Sequence, residues 1–170
     1  MFRIIKALIE RREWFLLMDM KIELKRSLTF QGDIEQVRGH LSDLPALLKQ
    51  FPKLDRLKEL KPNAYEWTLH PIGAAGISHV VVYAADYSTD FSANRVSWVP
   101  VKGIGNASLH GYLECVPKGD VIELNVEISG QLRDMSIPLT LRLLAPAYIK
   151  KTFEILVDKF SVRLSEHFSR

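Results

Sequence analysis

A single cysteine, Cys115, stands in a chain of 170 residues. One thiol cannot close an internal disulfide or supply a Cys-x-x-Cys metal knuckle, so no covalent staple is expected and a reducing, cytoplasmic setting fits. An excess of one charge is lacking too. The 23 Lys and Arg barely outnumber the 20 Asp and Glu. Residues 1–26 hold that whole excess, with seven basic against four acidic side chains. A neutral body behind a slightly basic leader is a poor footprint for a phosphate backbone, and no nucleic-acid partner is expected. Long apolar runs are missing as well. The leader MFRIIKALIERREWFLLMDM is split by Glu10, Arg11, Arg12 and Glu13. That break is too polar for a signal-peptide core and leaves far fewer than the ~20 apolar residues of a bilayer span.

Catalytic signatures are equally scarce. There is no GxSxG, and GIGNAS (103–108) lacks the GxGxxG spacing and a following helix, so a phosphate cradle is not expected. The five histidines (His40, His70, His79, His110, His167) form no HExxH pair, and neither a metal nor a cofactor is expected.

What is present is an ordinary globular composition, 47% apolar and 25% charged, at a length that suits one domain with a real core. Residues 1–19 read as an N-terminal extension, helical or disordered, and residues 20–170 as the folded domain. As a helix the leader would place Ile4, Ile5, Leu8 and Phe15 on one side, able to rest weakly on a membrane or to serve a partner. Met18 and Met20 stand just before the first strand, and the plainer reading is an end that frays.

MKIELKRSLTF (20–30) alternates as a half-buried strand. Asp33 and Asp43 are placed to cap two short helices, ending near Leu41 and at Phe51 before Pro52. Strands follow over 54–60, 65–70, 77–87, 95–101, 107–116 and 121–130. A Gly-rich loop is expected at 102–106, and a Pro/Gly turn closes the last hairpin. Residues 131–145 read either as a last strand or as a loop. From Pro146 the period becomes helical: Ile149, Phe153, Leu156, Val157, Phe160 and Leu164 form one stripe, with Lys150, Lys151, Glu154 and Asp158 elsewhere. Such a helix over 146–168 must lay its stripe on the apolar face of the sheet.

The stretch VSWVPVKGIGNASLHGYLECVPKGDVIELNVEISG, the opening SLTFQGDIEQVRGHLSDLPALLKQFP and the long C-terminal helix together resemble the START-like, polyketide cyclase/lipid-transport (SRPBCC) superfamily. The resemblance spans about residues 21–168. It implies an α+β helix-grip fold, a curved antiparallel sheet of six to seven strands wrapped around the C-terminal helix. It also implies an internal cavity for a hydrophobic small molecule such as a lipid, isoprenoid or polyketide-like compound.

Cavity-lining candidates follow. The helix offers Ile149, Phe153, Val157 and Phe160, and the sheet offers Trp98, Leu124 and Val126. Met135 and Tyr148 stand where the resemblance places a mouth. On 77–87, His79, Val81 and Tyr83 share one face and Ser78, Val80 and Val82 the other; alternation alone does not decide which is internal. If the first is, His79 and Tyr83 become polar points in an apolar cavity. His110, Tyr112 and Glu114 alternate with Leu109, Leu113 and Cys115. The apolar set has the stronger claim to the interior, which leaves Cys115 a buried, inert thiol. The leading expectation is a binding protein without catalytic residues. An alternative is a cyclase- or hydrolase-like enzyme using His79, Tyr83 or the His110/Glu114 pair, and a third is a partner-binding module acting through the leader.

Overall fold

The computed structural model describes residues 15–73 and 77–170. The chain runs β1 (Phe15–Phe30), α1 (Ile34–Leu41), α2 (Leu44–Leu48), β2 (Leu54–Lys61), β3 (Ala64–Leu69), β4 (Val82–Asp90), β5 (Arg95–Gly105), β6 (Ala107–Lys118), β7 (Val121–Pro138), a 3₁₀ turn (Leu139–Leu141) and α3 (Ala145–Phe168). All seven strands form one antiparallel sheet in the order β1-β7-β6-β5-β4-β3-β2. The first strand therefore pairs with the last, and α1 and α2 carry the chain from that side to the far edge at β2.

Local chemistry explains the short helices. Asp33 accepts a hydrogen bond from the Glu35 backbone N–H at 3.0 Å, and Asp43 accepts from Ala46 at 3.1 Å. Each carboxylate satisfies an orphan donor of a first turn. Both helices turn leucines and valine inward: Val37 and Leu41 from α1, and Leu44, Leu47 and Leu48 from α2.

The helix α3 fulfils its stripe. Ile149, Phe153, Leu156, Val157, Phe160, Leu164 and Phe168 are all buried. At about 1.5 Å per residue its 24 residues span roughly 36 Å, the width of the sheet it crosses. Its far end is pinned. Ser169 Oγ donates to the Gln31 carbonyl at 3.0 Å, Phe168 stacks on Phe30 with centroids 6.0 Å apart, and Arg26 of β1 pairs with Asp158.

Four expectations differ from the structure. The leader was expected to reach residue 19, but 15–19 already belong to β1, paired from Phe15 opposite Pro138. Leu16 and Leu17 are both apolar, so alternation hides the strand there. The leader's helical reading otherwise falls on residues 1–14, outside the described residues. Second, β7 continues past Gly130 to Pro138. The pattern breaks at a bulge opposite Met18 and Met20, where Asp134 has φ 56° and its N–H donates to Asp19 Oδ1 at 3.1 Å.

Third, the strand expected over 77–87 begins only at Val82. Upstream, Ile72 and His79 exchange both backbone hydrogen bonds in an isolated bridge. The Asn106 side chain then stands in for a neighbouring strand: its Oδ1 accepts from Val82 N–H at 2.9 Å and its Nδ2 donates to Val80 O at 2.8 Å. Fourth, the loop expected at 102–106 is the end of β5. The register jumps between Tyr83 opposite Gly105 and Ala85 opposite Pro100. Gly105 (φ 73°) lies so close to β4 that a Cβ there would sit 2.0 Å from the Val82 carbonyl oxygen.

Candidate functional site

The concave face of the sheet carries an unusual density of aromatic rings. On β3, Tyr65 and Trp67 point inward, two residues apart. On β4, Tyr83 and Tyr87 share the inward face, and on β5 Trp98 does. These rings meet in sequence. Trp67 stacks on Tyr83 at 5.5 Å and 17°, Tyr87 lies 6.0 Å from Trp98, and Tyr65 meets Tyr87 edge-on. From above, Phe51 sits edge-on to Trp67 at 5.7 Å and 5.2 Å from Phe160 of α3.

Between rings and helix lies an aromatic cavity, completed by Leu48, Val96, Leu113 and Ile128. Its free space for a water-sized sphere is about 20 Å3, little more than the ~10–15 Å3 that one water needs. The free space in the interior is therefore a small void.

The wall of this cavity is polar at defined points. Trp67 is buried, and its indole Nε1–H makes no hydrogen bond of good geometry; the polar group it approaches is the Tyr87 hydroxyl. A buried donor left without a partner costs about 1–3 kcal/mol. Burial pushes the Tyr83 and Tyr87 phenols well above the usual tyrosine range, so both remain neutral hydroxyls at physiological pH.

A second, smaller void of about 10 Å3 lies toward the start of α3, between Ile72, Gly73, His79, Met135, Tyr148, Ile149 and Thr152. His79 is buried and its Nε2 has no partner. Burial lowers its pKa, with Asp134 pulling weakly the other way, so the imidazole is neutral at pH 7. His167, packed 4.4 Å from His40 at the other end of α3, is likewise lowered, by burial first and then by His40 and Arg170.

These two histidines fix a pH dependence. Their folded pKa lies below the ordinary value of 6.5, so between the two values the unfolded chain binds more protons. Stability is then complete above about pH 6.5 and falls as the pH drops toward the folded pKa. Thermal melts from pH 8 to 5 should show that fall, and His79→Gln should flatten it; an unchanged slope in the variant would contradict the assignment.

The sheet's outer face carries the other polar candidates. His110 is exposed, Glu114 pairs with Arg95 at 3.2 Å, and Tyr112 donates to Glu127 at 3.2 Å beneath the Arg95 guanidinium. Lys25, bonded to Glu127 at 3.1 Å, draws that carboxyl below its usual range. Cross-strand pairs of this kind stabilise a sheet surface. Lys25, Tyr112 and Glu127 border an open surface recess of about 230 Å3 with Arg26, Ser27 and Asn125; His110 and Glu114 line neither that recess nor the interior voids, and the acid–base reading of that pair falls. Cys115 is buried, and burial pushes its thiol up to about 12, where a thiolate nucleophile is out of reach. Among the described residues no three His, Cys, Asp or Glu gather as metal ligands, and no helix is long and apolar enough to cross a membrane.

Of the residues expected to line a cavity, Tyr83, Trp98 and Phe160 border the aromatic void, and His79, Met135 and Ile149 border the smaller one. The face of 77–87 that alternation left open is settled: His79, Val81 and Tyr83 are the buried set. Leu124, Val126, Phe153 and Val157 are buried but border neither void; they pack the core between sheet and helix. Sequence reasoning passed over Phe51, Trp67 and Tyr87. Trp67 and Tyr87 were legible as inward positions of alternating strands, whereas Phe51 depends on how the turn after α2 folds back.

No family model matches the chain, and no curated protein matches it by sequence. Solved structures do match. A conserved protein from Geobacillus kaustophilus superposes with a TM-score of 0.61 at 13% identity, covering 89% of this chain and 95% of that one. A START superfamily protein from Mycobacterium smegmatis does so at 0.56 and 15%, covering 86% and 96%. The ZhuI aromatase/cyclase from Streptomyces sp. R1128 does so at 0.55 and 12%, covering 86% and 93%. The fold is the START-like helix-grip fold. In helix-grip terms, α3 is the gripped helix, and both voids lie in the interior between it and the sheet.

Proposed function

We propose that this chain binds a small hydrophobic molecule in the aromatic cavity between the sheet and α3. The observation that carries the reading is Trp67 Nε1–H, a buried donor in the wall of the aromatic void that meets the Tyr87 hydroxyl only at poor hydrogen-bond geometry. An apolar ligand bearing one hydrogen-bond acceptor, a carbonyl or ether oxygen, would satisfy that donor. Its rings or chain would take the stacking faces of Tyr83 and Trp98. A lipid, isoprenoid or polyketide-like compound meets that description, and the aromatase/cyclase among the structural neighbours favours the aromatic end of the range.

The void is too small for such a ligand while closed, so binding requires the roof to open. Phe51 is the natural leaf. It is only half-buried and lies outside any helix or strand, yet it covers Trp67 and touches Phe160. Shortening it to alanine should open the cavity at little cost to the core. Titration with the apolar fluorophore N-phenyl-1-naphthylamine should give saturable binding that Phe51→Ala tightens by about tenfold, the equivalent of ~1.4 kcal/mol saved on opening. Equal or weaker binding in the variant would count against Phe51 as the gate, and an absence of saturable binding in both proteins would remove the ligand reading.

A further inference from the structure

The three most exposed large apolar side chains among the described residues are not scattered, and Phe15 stands with them. Leu143 is 82% exposed, Leu144 68%, Leu17 67% and Phe15 55%. The fold brings them together. Phe15 and Leu17 pair opposite Pro138 and Ser136 at the end of β7, and the chain then passes through Leu139–Leu141 directly to Leu143 and Leu144. One helical turn later stands Tyr148, whose N–H bonds to the Leu144 carbonyl, and Tyr148 borders the His79 void. A contiguous apolar patch thus surrounds one end of the interior.

Basic side chains stand within it. Arg142, Lys150 and Lys151 are exposed within the patch segment, and residues 135–153 contain no acidic side chain. Residues 15–18, 71–73 and 77–85 contain none either. Three carboxylates border it: Asp19, engaged by the Asp134 backbone N–H, Asp134 itself, and Glu154, which pairs with Lys151 at 3.5 Å and leaves Arg142 and Lys150 as the cations without an acidic partner among the described residues.

We propose that this patch docks on an anionic lipid bilayer, with Leu143 and Leu144 entering the interface and Arg142, Lys150 and Lys151 reaching the headgroups. Neighbouring leucines ringed by long basic side chains are the composition of an interfacial anchor, apolar below and cationic at headgroup level. A second copy of the chain is a poorer occupant, because face-to-face contact sets the unpaired Arg142 and Lys150 of one copy against those of the other. Docking does not depend on the ligand reading, though it would bring the His79 end of the interior to the membrane.

Sedimentation of the full chain with vesicles tests this. Binding is expected to phosphatidylcholine vesicles containing phosphatidylglycerol and not to phosphatidylcholine alone, weakening as salt is raised. The double variant Leu143→Ser/Leu144→Ser, altered only at exposed positions, should keep the parent melting temperature and lose about tenfold or more in vesicle partitioning. The variant Lys150→Glu/Lys151→Glu should lose the preference for the anionic lipid. No binding by the parent, equal binding by the leucine variant, or a concentration-dependent dimer that the leucine variant abolishes without any vesicle binding would each overturn the proposal.

Discussion

Phe160→Ala should destabilise the fold by about 3–5 kcal/mol, and a small aromatic solute should restore part of that loss. Phe160 is buried in the middle of α3, and its ring closes the aromatic cavity against Phe51. Truncation removes transfer energy and leaves a hole that the sheet, stiffened by cross-strand pairing on both sides, collapses into only partly. The hole would be lined by the rings of Trp67, Tyr83 and Trp98, faces on which an aromatic solute can stack. Adding toluene should therefore raise the denaturation midpoint of Phe160→Ala by more than that of the parent, since binding to the native state alone stabilises by mass action. A loss under about 1 kcal/mol, or no response to the solute, would show that Phe160 does not support this cavity.

Gly111→Val should be comparably damaging, by about 3 kcal/mol, for a different reason. Gly111 is central in β6, opposite Trp98 on one side and Ile128 on the other. A Cβ there would lie 2.0 Å from the Glu127 carbonyl oxygen and 2.8 Å from the Trp98 ring. The first contact involves backbone and cannot be relieved by a rotamer change, so β6 and β7 must separate locally. The second pushes the indole that walls the cavity. Chemical denaturation gives the energy, and a shift in tryptophan emission reports the ring. A variant as stable as the parent with unchanged emission would mean that Gly111 is a spacer without structural demand.

Legibility from sequence followed how many physical demands acted on each segment. The stripe of α3 obeys one rule over its length, so all six expected positions are buried. The hairpin of β6 and β7 was legible because its turn and its alternation agree. The start of β4 was not, because the group that pairs with Val80 and Val82 is the side chain of Asn106, 24 residues on from Val82. No local pattern encodes such a partner. The extension of β7 was obscured by the Asp134 bulge, which shifts the alternation by one residue.

The site divides the same way. Alternation grouped His79 with Tyr83 correctly but could not say which face was internal, since valines stand on both. The structure resolves that through the bridge at Ile72 and the pairing of Tyr83 with Trp67 and Gly105. Nothing local separates Leu124 and Val126, which fill space, from Trp98, which borders it. That distinction depends on ring sizes meeting across four strands and a helix.

The central claim is that one small apolar molecule occupies the space between the sheet and α3. Native mass spectrometry of the full chain, before and after incubation with a small apolar carbonyl compound such as naphthaldehyde, tests it most directly. The account predicts a single added mass at saturation, released on denaturation and reduced when Trp67→Phe removes the indole donor. A spectrum showing only the bare chain at every concentration, or adducts that add without limit and ignore Trp67→Phe, would contradict it.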